Sequence, residues 1–434
     1  MKTVAFHTLG CKLNFSETSA IGRQFLEGGF SKTEFSNPAD VYVVNTCSVT
    51  EQANRKCRNI IRQAMRRNPE GFVIVVGCYA QLKPQEIADI PGVDMVVGAG
   101  DKFRILELVE DFTKTENPCV FHDEIAEVND FVHAYSVGDR TRAFLKIQDG
   151  CDYKCSFCTI PLARGKSRSD SLENILQNAE SLGNQGIREI VLTGVNTGDY
   201  GKDQPEDFLD VVQALDLQGA VDRFRISSIE PNLLSHEIIA FVASSQHFMP
   251  HFHVPLQSGS NELLGKMRRR YNRELYQDRV EKIKSVMPHA CIGVDVIVGF
   301  PGESETLFEE TYQFLNDLDI SYLHVFTYSE RENTLATKMP NKVPLKIRNQ
   351  RSQRLRNLSE MKRRHFYEQF LGSERKVLLE DAEKEGKMYG YTDNYIKVEM
   401  PYETTLANQL MEVSLEQINH KGFVASEVLD AKIS

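Results

Sequence analysis

The chain has 434 residues, of which 41% are hydrophobic and 26% are charged, the balance of an ordinary folded protein. This composition excludes wholesale disorder, and at about 100–200 residues per domain the length predicts two to four domains. The net charge of −10 at pH 7 argues against indiscriminate coating of nucleic acid.

The amino-terminal pattern and the hydropathy bear on location. The longest uncharged apolar stretch, residues 72–82, has about half the length that a membrane helix needs. The first residues carry one lysine and lead directly into a strand-like run, which is not the pattern of a secretory signal. We therefore expect a soluble, cytoplasmic protein without a membrane segment, in which the nine cysteines are reduced.

Residues 1–112 alternate four times between strand-like and helix-like patterns. The apolar runs typical of strands are 4–6, 41–44, 72–76 and 95–97, and the helical patterns that follow them are 17–27, 51–67, 84–90 and 102–112. This alternation predicts an open parallel α/β sheet, followed by a polar linker over residues 113–140.

Three cysteines of this region, Cys11, Cys47 and Cys78, each follow the end of a different predicted strand. Because the carboxyl ends of parallel strands lie at one edge of a sheet, we expect the three to converge. Together they would be one ligand short of full protein ligation of a 4Fe–4S cluster. The alternative is that they are small buried residues, as we expect of the three cysteines with no such pattern.

From residue 141 to residue 329 the alternation resumes with six predicted strands, at 143–147, 189–192, 224–228, 252–255, 292–298 and 323–327. The helical patterns between them predict an incomplete (β/α)6 barrel, with chemistry at the carboxyl ends of the strands. The pattern of residues 345–370 predicts one long helix. The short apolar runs of residues 371–434 predict a small all-β barrel.

The most specific motif is a C-x3-C-x2-C loop, formed by Cys151, Cys155 and Cys158, directly after the first strand of the predicted barrel. Three thiolates on one loop can hold three irons of a 4Fe–4S cluster and leave the fourth iron open to a small chelating ligand. A zinc site is the alternative, but closed tetrahedral zinc needs a fourth ligand, and no second C-x2-C pair follows nearby.

This loop on a partial barrel resembles the radical S-adenosylmethionine (radical SAM) superfamily. The resemblance implies that the three cysteines of the loop hold a 4Fe–4S cluster and that Phe157 is the aromatic residue preceding the last of them. It also implies that the open iron binds SAM through its amino and carboxylate groups. Reduction of the cluster would then cleave SAM and give a 5′-deoxyadenosyl radical.

The chain as a whole resembles the methylthiotransferase family, in which a three-cysteine α/β domain precedes a radical SAM barrel and a small β-barrel called TRAM. Further matching motifs are LTGVN (192–196), RISSIEP (225–231), HVPLQSGS (253–260), MRRRY (267–271) and DVIVGFPGE (295–303). The resemblance implies a methylthiotransferase domain over 1–125, a radical SAM domain over 137–368 and a TRAM domain over 369–434. A second 4Fe–4S cluster would bind Cys11, Cys47 and Cys78.

The residues expected to contact SAM lie in the radical SAM loop, in these motifs and in the segment 329–334. They are Phe157, Gly194, Asn196, Glu230, Gln257, Val298, Gly299 and Arg331. A polar residue at a strand end is as often a helix cap, whereas the backbone at 298–299 would allow close approach to adenine. The segment 329–334 lacks the glycine that the family has before threonine, but Asn333 also tolerates a left-handed turn.

The family resemblance also implies the reaction. One SAM molecule would methylate a sulfur atom attached to the second cluster, and another would give the radical that activates the substrate carbon. The methylthio group would then be transferred to that carbon.

Residues 8–14, TLGCKLN, resemble the branch of the family that acts on C2 of N6-threonylcarbamoyladenosine at position 37 of tRNA. The isopentenyladenosine branch has YGCQMN there and the ribosomal-protein S12 branch has LGCPKN, and these substrates are the alternatives. Lys12 is a candidate contact to the threonylcarbamoyl carboxylate, and further candidate substrate contacts are Arg268, Arg269 and Arg270.

The distribution of charge favours more than one substrate. Residues 55–67 hold six Lys or Arg and no acid, and residues 338–376 hold twelve against three Glu. Both segments suit a tRNA anticodon stem-loop, or simply a solvated helix face. Residues 371–434 hold twelve acids against seven Lys or Arg, which better suits a basic protein such as S12.

A non-enzyme interpretation is an iron–sulfur electron carrier or an RNA-binding sensor. Carriers usually ligate every iron with protein, whereas both sites here are one ligand short. For the enzyme, the expected partners are the tRNA anticodon stem-loop and a reductant of flavodoxin or ferredoxin type, and we expect a monomer.

Overall fold

A parallel sheet forms the amino-terminal part of the protein in the computed structural model, which describes residues 1–138, 141–202 and 204–429. Its strands are β1 (Thr3–Thr8), β2 (Ser31–Thr33), β3 (Val41–Thr46), β4 (Phe72–Gly77), β5 (Met95–Val97) and β6 (Cys119–Phe121). Their order is β2-β1-β3-β4-β5-β6, and every pairing is parallel.

Helices follow these strands and cover both faces of the sheet. They are α1 (Lys12–Glu27), α2 (Glu51–Arg67), α3 (Cys78–Leu82), α4 (Pro84–Ala88) and α5 (Ile105–Leu108). All residues of β3 and β4 are buried, as expected of central strands covered on both sides. Separate apolar clusters pack on the two faces, so the sheet is a rigid support for the loops at its carboxyl edge.

The central part is an open barrel of six parallel strands: β7 (Ala143–Lys146), β10 (Glu189–Thr193), β11 (Arg223–Ile226), β12 (His251–His253), β13 (Cys291–Val298) and β14 (Tyr322–Thr327). Two short strands after β7, β8 (Gln148–Asp149) and β9 (Arg168–Ser169), form a separate antiparallel pair. Two three-stranded sheets, β7-β10-β11 and β12-β13-β14, are joined by the bridge between Ser228 and His253. The six strands form one arc around a common core.

Eight helices accompany this arc in the described residues. They are α6 (Ile160–Arg164), α7 (Leu172–Asn184), α8 (Phe208–Gln218), α9 (His236–Ser244), α10 (Asn261–Lys266), α11 (Arg273–Val286), α12 (Glu305–Asp317) and α13 (Leu345–Glu368). Side-chain caps fix several helix starts; for example, Ser171 accepts a hydrogen bond from the Asn174 backbone.

A small closed barrel ends the chain. Its strands are β15 (Glu374–Leu379), β16 (Lys387–Thr392), β17 (Lys397–Pro401), β18 (Leu410–Ile418) and β19 (Val424–Val428). The end of α13 packs into the core of this barrel through Phe366 and Tyr367, and Cys291 of β13 joins the same cluster. The carboxyl-terminal barrel is therefore held near the amino ends of the central strands, where Arg223 and Arg225 of β11 also donate to its backbone.

The predicted fold class is confirmed: a parallel α/β sheet, a partial (β/α)6 barrel and a small β-barrel follow one another. The positions of the domain boundaries stay predictions. Residues 139 and 140 of the predicted linker, residue 203 and residues 430–434 lie outside the described residues. No helix among the described residues is long and apolar enough to cross a membrane.

Some predicted elements need correction. Helix α1 begins at Lys12 rather than at residue 17, because its first turns bury the polar residues Asn14, Ser16 and Glu17 and so lack an apolar pattern. Helix α5 covers only four residues of the predicted 102–112. Strands β2 and β6 were not predicted, since each has three residues that are not buried.

Candidate active site

The loops after β1, β3 and β4 bring Cys11, Cys47 and Cys78 to one edge of the sheet. Gly10 has φ +107°, and a Cβ atom there would lie 2.8 Å from the Cys47 Cβ and 3.1 Å from its Sγ. The Asn14 amide donates hydrogen bonds to the carbonyl oxygens of residues 9 (2.7 Å) and 46 (3.0 Å), which holds two of the loops together. The predicted convergence is therefore present in the structure.

The electrostatics of these thiols fit a metal cluster. Burial, together with the neighbouring Cys78, raises the pKa of Cys47 to about 12, and burial also raises the pKa of Cys78. Cys11 directly precedes α1 and Cys78 begins α3. Cys47 and Cys78 would ionise at neutral pH only with a cation bound, and the convergence of three cysteines at one edge suits them as ligands of an iron–sulfur cluster. Burial also raises the pKa of Cys57, to about 11, but this thiol donates to the Cys47 carbonyl.

The cysteines of the radical SAM loop lie after β8, at the mouth of the central barrel. Backbone N–H groups of Tyr153 and Ile160 donate to the sulfurs of Cys151 and Cys158, each at 3.4 Å. The Cys155 sulfur accepts from the Arg269 guanidinium at 3.1 Å. Burial raises the pKa of all three thiols. Each sulfur already has a donor suited to a thiolate, so this loop also fits a 4Fe–4S cluster.

Two of the expected SAM contacts lie close to this loop. Arg269 pairs with Glu230 as well as with Cys155. Asn196 is buried, and its Oδ1 accepts from the Glu230 backbone at 3.3 Å, whereas its Nδ2 has no hydrogen-bond partner in the described residues. A buried, unpaired amide donor is costly unless a ligand accepts from it, so Asn196 fits a polar group of SAM.

A cavity of about 200 Å³ lies beside the radical SAM loop. It is lined by Phe157, Cys158 and Gln257, among others, and the backbone of Gln257 has φ +69°. Two predicted SAM contacts therefore share one pocket with a predicted cluster ligand. The Phe157 ring meets Phe300 edge-on at 6.4 Å, which fixes one wall of the pocket.

Other predicted site residues have different surroundings. A Cβ at Gly299 would lie 2.2 Å from the Arg348 side chain, so packing against Arg348 requires this glycine. The Val298 carbonyl accepts from the Tyr328 backbone at 2.9 Å. Arg331 donates to Ser48 at 2.7 Å, towards the amino-terminal domain. Asn333 has φ +64°, so the predicted left-handed turn is present.

The three predicted arginine contacts to substrate differ from one another. Arg268 and Arg270 are exposed, and Arg270 stacks on the Tyr153 ring at 3.9 Å. Arg269 instead points into the barrel towards the radical SAM loop. The sequence predicted all three arginines as substrate contacts because three consecutive arginines indicate a single basic patch. In the structure Arg269 is separate from that patch.

A larger cavity of about 740 Å³ lies between all three parts of the chain. Cys11 and Lys12 line it from the amino-terminal domain, Gly194 from the central barrel, and Tyr391 and Tyr395 from the carboxyl-terminal barrel. Its walls carry several cations and aromatic rings. A cavity of this size and lining can enclose a modified nucleoside.

The two cavities meet at common wall residues. Asp295 and Phe326 line both the cavity beside Cys158 and the larger cavity that contains Cys11. The two cavities are therefore adjacent, with Cys158 lining one and Cys11 lining the other.

Burial, together with the nearby cations Arg142 and Arg225, lowers the pKa of Lys12 to about 8. No ion pair joins Lys12 to a carboxylate of the described residues. Glu189, the carboxylate that acts on Lys12 electrostatically, is engaged by Arg225 at 2.8 Å and by Arg142 at 3.8 Å. The Lys12 ammonium thus faces the cavity without an anionic partner of its own.

Two arginines of the basic segment 338–376 form buried ion pairs within the protein. Arg348 pairs with Glu330 at 2.6 Å, and Arg351 pairs with Glu303 at 2.8 Å. Both arginines are buried. The structure therefore favours the structural interpretation of this part of α13 over a phosphate-binding surface.

The sequence analysis missed three side chains that line the larger cavity together: His253, Asp295 and His324. A signal was present, because the His-x-His spacing of residues 251 and 253 puts both rings on one face of a strand. The pairing of β12, β13 and β14 that brings them to Asp295 cannot be read from single motifs.

Two family models match the chain. Residues 3–98 match the uncharacterized protein family UPF0004, and residues 145–315 match the radical SAM superfamily. Among solved structures, the radical S-adenosylmethionine methyltransferase TsrM from Kitasatospora setae, with tryptophan substrate and a SAM analog bound, aligns with a TM-score of 0.57. The alignment covers 75% of this chain and 73% of that one at 14% identity, which shows a shared fold.

Curated relatives are similar over almost the whole chain. The threonylcarbamoyladenosine tRNA methylthiotransferase MtaB of Bacillus subtilis is 42% identical over 96% of this chain and 94% of its own length. The protein of the same name from Aquifex aeolicus is 41% identical over 91% and 96%. The tRNA-2-methylthio-N(6)-dimethylallyladenosine synthase of Bacillus velezensis is 30% identical over 98% and 86%.

Proposed function

Because the chain belongs to the MtaB-type radical SAM tRNA methylthiotransferases, we propose that it methylthiolates C2 of N6-threonylcarbamoyladenosine at position 37 of tRNA. The names of its more similar relatives support this nucleoside over the dimethylallyl one. The observation that carries the choice is the unpaired ammonium of Lys12 in the larger cavity.

A threonylcarbamoyl group ends in a carboxylate, whereas a dimethylallyl group is entirely apolar. An ammonium that is partly desolvated and lacks an acidic partner loses free energy unless a ligand supplies the anion. Lys12 meets that condition, because Glu189 already pairs with Arg225 and Arg142. The carboxylate of the substrate would complete an ion pair here, while a dimethylallyl group would leave the ammonium unpaired.

The proposed cofactors are two 4Fe–4S clusters and SAM. Held by the radical SAM loop and by the three amino-terminal cysteines, they would supply radical formation and methylthio transfer, with one SAM as methyl donor and one as radical source. The chain itself binds and orients. Arg269 donates to Cys155 and Glu230, and Asn196 offers an amide donor that has no partner in the described residues. The walls of the two adjacent cavities would exclude bulk water.

The proposed partners follow from this chemistry. The anticodon stem-loop of tRNA would present its base to the larger cavity, and a flavodoxin or ferredoxin would supply electrons. We propose that the chain acts as a monomer, and that it acts in the cytoplasm, where its tRNA substrate would be found.

The first test is mass spectrometry of tRNA nucleosides from a strain that lacks the gene and from its wild type. We expect 2-methylthio-N6-threonylcarbamoyladenosine to disappear and its unthiolated precursor to accumulate. Persistence of that nucleoside, with loss of methylthiolated isopentenyladenosine or of the methylthio group on S12, would replace the proposed substrate by one of these alternatives.

A second test examines Lys12 itself. A hydrogen bond between charged groups contributes about 1.5–3 kcal/mol, so we expect Lys12→Gln to lower kcat/KM on the threonylcarbamoyl substrate about 10–100-fold. The control uses the methyl ester of the same nucleoside, which has no carboxylate. The wild-type enzyme should have a kcat/KM on the ester that is lower than on the acid by a similar factor. For Lys12→Gln, kcat/KM on the ester should be little lower than on the acid. An equal penalty for Lys12→Gln on acid and ester would refute the ion pair.

A further inference from the structure

Three adjacent parallel strands of the central barrel place three potential metal ligands close together on the wall of the larger cavity. Asp295 of β13 is paired in register with His324 of β14. His253 of β12 is paired with Gly293, two residues before Asp295 on the same face. The side chains of His253, Asp295 and His324 therefore converge because of strand register.

The ligand atoms of this cluster are close enough for one cation. The His253 Nε2 lies 2.8 Å from the Asp295 Oδ1. One ligand atom from each of the three residues lies within 4.8 Å of the other two. Ligands about 2.0–2.2 Å from a bound zinc lie roughly 3 Å apart, so the first pair has the required spacing. His324 is exposed, so its ring is not locked in place by surrounding core side chains.

The donor set has a recognisable preference. Two imidazoles and one carboxylate on one face are the ligands that divalent transition metals take while keeping coordination positions open. A simple His–Asp hydrogen bond would account for His253 and Asp295 but not for His324, whose ring meets that of His253 edge-on at 5.4 Å. None of the three has a role in the proposed handling of SAM or of the threonylcarbamoyl carboxylate.

We propose that His253, Asp295 and His324 form a binding site for a divalent transition-metal cation, such as Mn²⁺, Fe²⁺ or Zn²⁺, that faces the larger cavity. The open coordination positions point into the space between the two cysteine sites, where a nitrogen or oxygen atom of a bound nucleoside would complete the shell. The site is distinct from the six cysteines. It does not depend on which nucleoside is the substrate.

The probe is Mn²⁺, which prefers oxygen and nitrogen ligands to thiolates and therefore discriminates against the cysteine sites. Holoenzyme with its iron–sulfur clusters loaded, and without tRNA, is titrated with Mn²⁺ while EPR follows the free ion. We expect one Mn²⁺ bound per chain, with nitrogen couplings from imidazole in pulsed EPR. Asp295→Asn and His324→Ala should each weaken binding about 10–100-fold.

A matched control exists elsewhere on the chain. His236 and Asp278 form an exposed pair with the same 2.8 Å spacing, and the described residues supply no third ligand to it, so His236→Ala should leave Mn²⁺ binding unchanged. Because His324 is exposed, its replacement leaves the core intact, and unchanged iron content together with the far-UV circular dichroism spectrum verifies folding. Binding by His324→Ala as tight as wild type, or no stoichiometric binding by wild type, would overturn the proposal.

Discussion

Replacing Glu17 by glutamine removes a buried negative charge from the contact between the amino-terminal sheet and the central barrel. Glu17 accepts from Lys102 at 2.7 Å and from Arg164 at 2.9 Å. Arg164 also donates to Asp149 at 2.8 Å, and Lys146 pairs with Asp149 at the same distance. All five side chains are at most 5% exposed. Two buried carboxylates therefore face three buried cations across the contact, and the less buried Arg168 lies 3.5 Å from Asp149.

The charge balance predicts which replacement costs more. Glu17→Gln leaves one carboxylate to face three buried cations, whereas Arg164→Met leaves two carboxylates with two lysines. Breaking a buried pair typically costs about 3–5 kcal/mol. Burial alone would raise the pKa of Glu17, but Arg164, Lys102 and Lys146 outweigh it and hold that pKa at about 2. The displacement from an ordinary glutamate corresponds to about 3 kcal/mol.

Stability is measured by guanidinium unfolding at pH 7, followed by far-UV circular dichroism because the chain has no tryptophan. We expect Glu17→Gln to lose about 3 kcal/mol or more and Arg164→Met to lose less. The control, Glu27→Gln, removes the same charge from an exposed position of α1 and should change stability by less than about 0.5 kcal/mol. Since the pKa of Glu17 is depressed on folding, its contribution is complete above about pH 4.5 and declines as pH falls towards 2. A larger loss for Arg164→Met than for Glu17→Gln would refute the charge-balance argument.

Three further predictions concern the cysteine sites. Gly10→Ala should lower the iron content from about eight to about four per chain, because the added Cβ would collide with Cys47. The control is Gly29→Ala, where the added Cβ meets open space, and this variant should keep its iron. Cys47→Ala should lose about four irons and Cys57→Ala none, as measured by iron analysis of reconstituted protein; loss in both would contradict the assigned ligands. Arg269→Gln removes a cationic donor from Cys155, so the potential of that cluster, measured by redox titration, should become more negative; an unchanged potential would rule out this role.

The strands and the cysteine convergence could be predicted because each depends on a local pattern. β3 and β4 are continuous β-branched runs, and a parallel sheet necessarily brings the ends of its strands to one edge. The position of Arg269 could not be predicted in this way. Three consecutive arginines look alike in sequence, and only the turn at Arg268, with φ +58°, sends the next side chain inward.

Long-range charge pairing lies outside the reach of sequence patterns for a similar reason. Glu17 and Arg164 are 147 positions apart, and neither has an unusual local sequence. The polar first turns of α1 concealed the start of the helix because their partners are distant in sequence, such as Lys102 and Arg164 for Glu17. Hydrophobic periodicity identifies the buried face of a helix only when that face is apolar, so it fails where polar residues are buried by distant partners.

The same reasoning resolves the apparent conflict posed by the acidic carboxyl-terminal barrel. Several of its acids are committed to neighbouring cations: Glu380 pairs with Arg142 at 3.1 Å, and Asp393 pairs with Arg375 at 2.9 Å. The residues that this barrel contributes to the larger cavity are instead aromatic or basic, including Tyr395 and Lys397. Net composition averages paired and unpaired charge, whereas a substrate meets only the unpaired charge on the surface that it touches. The acidic balance of residues 371–434 is therefore no guide to the charge that this barrel presents to the cavity, which is that of Lys397.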